Sequence, residues 1–450
     1  MGSGALQAPD EGLAGVPSKG GKLPPGPGHT QEQVAASQLA RIHRAMIALT
    51  AERGYEALKI RDIVRRAELS TRSFYGHFDS KDDCFLQTYD RIVRGALSRI
   101  TVSQLGESNW RQRARRMLNR LTVEIESDPD AAHLILIGAR TATPPAMERA
   151  QRTERASADL LRECLTRPPY GEAVPPQIAQ GMVAGALTVA RHRLEAGDVN
   201  GLRDSLDDLA AWALSYVDPA AARLADLDRK SVWRNSALQS KSASRTARNR
   251  FPSAAGDRAR LLSAVADLVA AEGYAKATVA RIRTAARVSR QGFHAHFEDV
   301  EACCIAAFQE RVEEMVAQAT RAKVAAASSA GGAYRAISVI CENVSSDPFL
   351  TRLCLFDEFP HGADGRRARD RLASALIEVL GDGAPSIAKR DVATEASVGA
   401  AWSVFRAHAF ERRSRSNEIA ATLAYLALTP SLGTSRTLTA IGAEQHRSRY

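Results

Sequence analysis

The sequence predicts an all-α protein made of two similar helical units in tandem, and three observations predict it. Apolar residues recur at three- and four-residue spacing along most of the chain, as in Ile42, Ala45, Met46 and Leu49, with almost no alternating pattern. Prolines punctuate these stretches, as at Pro144-Pro145, Pro168-Pro169 and Pro175-Pro176. Above all, the chain repeats itself without a gap at an offset of 219 residues. Arg41, Ala45, Leu49, Gly54-Tyr55, Ile63, Ala67, Ser70, Phe74, His77-Phe78 and Cys84 return as Arg260, Ala264, Leu268, Gly273-Tyr274, Ile282, Ala286, Ser289, Phe293, His296-Phe297 and Cys303. The register persists to Asp128-Pro129 and Asp347-Pro348. A repeat of that length is a duplicated domain, not a solenoid unit of ~20–50 residues.

The elements follow in order. Residues 1–36 hold the run Leu23-Pro24-Pro25-Gly26-Pro27-Gly28 and are expected to be a disordered tail. Residues 37–86 read as three short helices and the start of a fourth: one ending at Gly54-Tyr55, one over Ile60–Ala67, one opened by Ser70, then Asp79-Ser80-Lys81-Asp82. Residues 87–219 read as longer helices, including Met182–Glu195 and Leu202–Tyr216. Residues 220–255 read as a linker that carries only basic charges between Arg229 and Arg250. Residues 256–305 repeat the first head, and residues 306–430 repeat the helical region, with late helices near Glu395–Phe410 and Asn417–Leu428. Residues 431–450 are expected to be a frayed tail.

Bulk properties narrow the function classes. A chain of 450 residues exceeds one core, and 45% hydrophobic with 25% charged residues is ordinary for a soluble protein. A net charge of +10 favours an anionic partner, most simply nucleic acid. Six cysteines, none in a CxxC pattern, suit a reduced cytosol. No secretory leader is evident at the N-terminus, and no apolar run approaches the ~18–20 residues that span a bilayer. No Ser-His-Asp set, HExxH, P-loop or GxGxxG emerges, so no enzyme, cofactor or metal is expected.

The third short helix carries the chemistry. Phe74 and Phe78 lie four apart and share one face, which pins the helix to its neighbours. The opposite face sets Thr71, Arg72, Ser73 and Tyr75 toward solvent. Hydroxyls and a guanidinium near the start of a short helix with an apolar back suit the DNA major groove. Gly54-Tyr55, Ile63 to Ala67, Phe74-Tyr75-Gly76-His77-Phe78 and Ser80-Lys81, in that order and spacing, resemble the TetR family of bacterial transcriptional regulators. The resemblance implies two tandem TetR-like units, each a three-helix helix-turn-helix head followed by a helical ligand-binding and dimerisation region. It implies Lys59, Arg61, Thr71, Arg72, Ser73, Tyr75, His77 and Lys81 as DNA-facing, with Tyr75, His77 and Lys81 holding phosphates and Thr71 and Arg72 reading bases. Lys59 stands where the family commonly has threonine.

The second copy departs further. Its recognition helix reads Arg290, Gln291, Gly292, Phe293, His294, and then His296. His294 replaces the tyrosine and Val300 the lysine, while Thr278 can cap and Arg281, Arg283, Arg287 and Lys276 restore charge. Arg290 and Gln291 suit bidentate contacts to guanine and adenine. The DNA-binding set of this copy is therefore Thr278, Arg281, Arg290, Gln291, Gly292, His294 and His296.

Other readings are plain packing. Tyr55, Tyr274 and the phenylalanines are expected in the core, His294 and His296 point apart on a helix and make a poor metal pair, and Cys303-Cys304 reads as buried. The leading reading is a cytoplasmic, nucleoid-associated bacterial regulator of double-stranded DNA, a repressor released by a small, largely apolar effector. The fused heads would form an intrachain pseudo-dimer through helices 182–216 and 395–428, on an asymmetric operator, with a homodimer left open. Few charges besides Arg191, Arg193 and Arg406 look buried in the helical regions. The alternative is a small-molecule sensor or protein scaffold with one or both heads vestigial.

Overall fold

The computed structural model describes residues 30–107, 109–166, 174–228, 256–355, 363–380, 391–411 and 419–447, and every regular element among them is helical. The chain divides into two compact units after Leu214.

Unit 1 begins with α1 (Gln31–Arg53), α2 (Ile60–Arg66) and α3 (Thr71–Tyr75). α1 starts at Gln31, ahead of the boundary at residue 36 expected for the tail. Thr30 Oγ1 accepts the Gln33 N–H at 3.2 Å and Gln33 Oε1 accepts the Thr30 N–H at 3.0 Å, a reciprocal cap that fixes the first turn. The expected disorder of residues 1–29 lies outside the described residues. α1 ends at Gly54, whose φ of +73° is a region that disfavours side chains. Ile63, Phe74 and Phe78 are the buried centre of the head.

The rest of unit 1 is α4 (Lys81–Ser103), α5 (Trp110–Ser127), α6 (Pro129–His133), a π-helical turn over Leu134–Gly138, α7 (Ala139–Thr141), α8 (Pro144–Thr166), α9 (Pro176–Glu195), α10 (Asn200–Asp204) and α11 (Leu206–Leu214). α6 and the π turn pack against α1, and so join the head to the helical region. The expectation of few buried charges fails here. Arg113 is 1% exposed, donating to the carbonyls of Cys164 (2.8 Å) and Glu107 (3.3 Å). Glu124 is also buried, held by Arg99 at 2.8 and 2.7 Å and by Arg120. Long arginines on an amphipathic helix hid these pairs, since each reads alone as a solvated face.

Unit 2 opens before its own head. Tyr216 is buried and donates to the Leu426 carbonyl at 2.6 Å. Residues 219–228 are helical, and the Asp228 carboxylate accepts the N–H groups of Ala421 and Thr422 at 2.9 and 3.1 Å. The linker expected over 220–255 therefore starts later: its first nine residues are packed structure, held by that cap, and the basic run from residue 229 lies outside the described residues. The second head is α12 (Asp257–Glu272), α13 (Val279–Ala286) and α14 (Arg290–His294). Then come α15 (Val300–Val324), α16 (Ser329–Ser346), α17 (Pro348–Leu355), α18 (Ala363–Leu380), α19 (Val392–Glu411), α20 (Ala420–Leu432) and α21 (Thr434–Arg447). The tail expected from residue 431 is instead α21, anchored by the buried Leu438, Ile441, Glu444 and Gln445. Its few apolar residues sit on one face, and the charged remainder resembled a frayed end. All six cysteines are free and buried.

Candidate nucleic-acid interface and cavity

The first recognition helix is short and firmly capped. Ser70 Oγ accepts the Ser73 N–H at 3.0 Å, and Glu68 supplies the turn before it with φ +52°. A non-glycine residue in that left-handed region costs about 1 kcal/mol, so the packing around the turn must enforce it. Arg41 Nη1 reaches the Glu68 carbonyl at 3.5 Å. Behind the helix, Phe74 is fully buried and Phe78 nearly so, their rings 5.5 Å apart. In front, Thr71, Arg72 and Tyr75 are exposed, Tyr75 at 55%. Lys59 and Arg61 are exposed at the start of α2.

Three expected contacts turn inward. The Lys81 ammonium donates to the carbonyls of Tyr55 and Leu58 at 3.2 and 3.1 Å and sits 3.9 Å over the Tyr55 ring. Two of its three donors are thus taken, and Lys81 clamps the α1–α2 loop. Tyr55 completes the clamp by donating to Asp82, and burial with that partner raises its phenol well above the usual range. His77 is half-buried, with Nε2 3.1 Å from Gln38 Oε1, and braces the recognition helix against α1. The Ser73 hydroxyl lies 2.9 Å from that of Ser70 and serves the cap instead of facing solvent.

The second head repeats this frame at the equivalent positions. Gly273 has φ +89°, Arg287 has φ +53°, and Ser289 Oγ accepts the Gly292 N–H at 2.9 Å. Arg290, Gln291, His294 and His296 are exposed, while Gly292 is half-buried. A Cβ on Gly292 would lie 2.7 Å from Val288 Cγ1, so this glycine lets the helix sit close to the turn. Thr278 caps α13 by accepting the Arg281 N–H at 3.3 Å. Arg281 is tied to Glu272 and to the Lys276 carbonyl at the surface, its side chain 40% exposed.

Sequence reasoning missed His43 in the first head. It is buried against Thr88 at 2.8 Å, and desolvation, helped by Arg91 and His77, lowers its pKa to about 4. A histidine on an apolar helix face was the available signal.

Unit 1 also holds a partly open cavity of about 170 Å³ between α4, α5, the π turn, α8, α9 and α11. Val93, Ala96, Leu97, Leu118, Leu121 and Met182 are part of its largely apolar wall. Tyr89 donates to Thr153 at 3.0 Å on that wall, and burial pushes its phenol up to about 12. Glu124, Arg140, Glu154 and Arg191 supply charge at the margins. Among the described residues no group of three His, Cys, Asp or Glu side chains is placed to hold a metal, and no helix is long and apolar enough to cross a membrane.

Residues 42–88 match the family model described as bacterial regulatory proteins, tetR family. The chain is also 27% identical over 182 residues to the HTH-type transcriptional activator FasR of Mycolicibacterium smegmatis (strain ATCC 700084 / mc(2)155), across 40% of this chain and 78% of that protein. The matched interval takes in all of α2 and α3, where the capped helix turns Thr71, Arg72 and Tyr75 outward. It is thus the first head that carries the family likeness, a DNA-binding domain of the tetR type, and the chain is a DNA-binding transcriptional regulator.

Proposed function

We propose that this regulator reads one asymmetric operator with both heads of a single chain, and that a small, largely apolar effector in the unit 1 cavity controls it. The observation that carries the proposal is the pair of recognition helices. They share caps and turns at equivalent positions but expose different side chains, Thr71, Arg72 and Tyr75 in one and Arg290, Gln291 and His294 in the other. Unlike side chains prefer unlike base edges, so the half-sites should differ and lie about one helical turn apart. The half-site under the first head should be held more tightly to phosphate. Lys59, Arg61 and Tyr75 stand there against Thr278, Ala280 and His294.

The cavity supports the effector. It is enclosed mainly by aliphatic side chains, and its π turn contacts α1 of the head. Repression released by the effector is the direct reading, because a protein seated on an operator blocks it. Activation is the second reading, favoured by the activator role of the 27% identical relative. We assign the chain no catalytic role. Selection from a random DNA library by the purified full chain, with mass measurement of the complex, tests the proposal. One chain on two unlike half-sites is expected. A perfect palindrome bound by two chains would reject the single-chain pairing, and a reporter on the recovered site decides repression against activation.

A further inference from the structure

The repeat allows the cavity wall of unit 1 to be compared, residue by residue, with the same positions of unit 2. Val93, Ala96, Leu118 and Leu121 are partly open in unit 1. Their counterparts are closed: Val312 is 8% exposed, Met315 1%, Ile337 5% and Ile340 7%. The polar link between the paired helices changes as well. Where Arg99 and the buried Glu124 meet in unit 1, Gln318 and Asn343 form one amide hydrogen bond of 3.1 Å between α15 and α16.

Two features account for the closure. Gly332 lets α16 approach α15, since a Cβ there would lie 2.7 Å from the Lys323 carbonyl oxygen. The second is α21, which packs along α16. Gln445 on α21 donates to the Tyr334 hydroxyl at 3.0 Å, and Tyr334 holds the position of the cavity residue Arg115. Glu444, fully buried, pairs with Arg335 of α16 and with Arg447 at 2.7 Å. Of these contacts, the one at Tyr334 falls at a position that lines the cavity in unit 1. Close packing of this kind excludes a ligand, because an interior at normal density has no room for one.

We propose that the chain carries its apolar effector site in unit 1 alone, and that unit 2 is a ligand-blind copy plugged by its own C-terminal helix. This rests on the reading of the unit 1 cavity as the effector site. One binding event then serves both DNA-binding heads, and the response to ligand is non-cooperative. A homodimer with two identical sites has the option of a steeper curve.

The test uses the full chain and two probes. Nile red, an apolar fluorophore, is titrated to saturation, and an alkyl diazirine is photocrosslinked with and without Nile red and mapped by peptide mass. One Nile red per chain with a Hill coefficient near 1 is expected, with competed crosslinks confined to residues 89–125. Ala96→Phe, placed in the wall, should weaken dye binding at least tenfold while helicity is unchanged. Ala96→Met, which installs the residue of unit 2, should weaken it less and covers the case in which the phenylalanine disturbs folding. Two dyes per chain, or competed crosslinks in residues 308–344, would overturn the one-site proposal and leave the effector reading standing. No dye bound, and no competed crosslink in either segment, would overturn the effector reading itself.

Discussion

The two heads of this chain have the same skeleton and different interiors. Both end the first helix on a glycine of positive φ, both place a left-handed residue in the turn, and both cap the recognition helix with serine. Inside, the first head is polar where the second is not. His43 and Thr88 of the first become Leu262 and Ala307, and the clamp of Tyr55, Lys81 and Asp82 becomes Tyr274, Val300 and Glu301. At another equivalent pair the charges exchange places, Arg53 and Asp62 in the first head against the Glu272–Arg281 ion pair in the second. Backbone geometry therefore depends on a few caps and glycines, while the polar interior is free to diverge.

The helical regions sharpen that comparison most. Glu124 is 2% exposed at its side chain and meets two partly exposed arginines, so Glu124→Ala removes charge-assisted hydrogen bonds to both and should destabilise unit 1 by about 2–3 kcal/mol. Asn343→Ala, at the equivalent place in unit 2, loses a neutral hydrogen bond and should cost about 1 kcal/mol. Hydrogen exchange resolved by unit measures both in one molecule, and equal losses would mean that the ion pair is not structural.

Next in size is recognition. Arg72→Ala should relax preference at one base position and cost about 1–3 kcal/mol if the contact is bidentate to guanine. Arg290→Ala should do the same at the other half-site only. Affinities on paired single-site operator variants decide it, and an Arg72→Ala protein with unaltered preference would refute the placement of the reading face.

Lys81→Ala comes third. Because the ammonium is bound to two carbonyls, the variant should lower the stability of the first head by about 1 kcal/mol. The slope of log affinity against log salt should barely change. A slope reduced by about one unit would instead make Lys81 a phosphate contact.

The smallest effect is a pH dependence confined to one head. The folded pKa of His43 is lowered from 6.5 to about 4, so below pH 6.5 the unfolded chain binds a proton that the folded head refuses. Stability from this residue is complete above pH 6.5 and is lost as pH falls toward 4. At pH 5.5 the first head should be weaker by about 1 kcal/mol than at pH 7.5, as judged by amide exchange in α1. The exchange of α12, where Leu262 replaces the histidine, serves as the internal reference. His43→Leu should remove the difference.

The sequence made the heads legible because their signals are local. A glycine at a helix end, a serine before a short helix and two phenylalanines four apart each act within one turn, and all appear in the structure as read. Exposure of Thr71, Arg72 and Tyr75 followed from that periodicity. The inward turn of Lys81 and His77 and the surface pairing of Arg281 did not, because their partners lie in other elements: the carbonyls of residues 55 and 58, Gln38 and Glu272. The cavity was illegible for the same reason. An open Leu118 and a closed Ile337 look alike in a helical pattern, and the spacing of the helices around them decides which is which. α21 was missed because polar residues dominate it and its buried face needs α16 as a partner.

The stretch from Tyr216 to Asp228 carries a consequence for dividing the chain. It precedes the second head in the chain, yet it is built into the second unit, through the Tyr216 hydroxyl and the Asp228 cap on α20. A gene broken anywhere between residues 229 and 255 would leave one product with an orphaned tail and the other with an uncapped helix and an empty tyrosine socket. The two units are therefore not separable at the run that divides their heads: the second draws part of its own packing from chain that precedes that run.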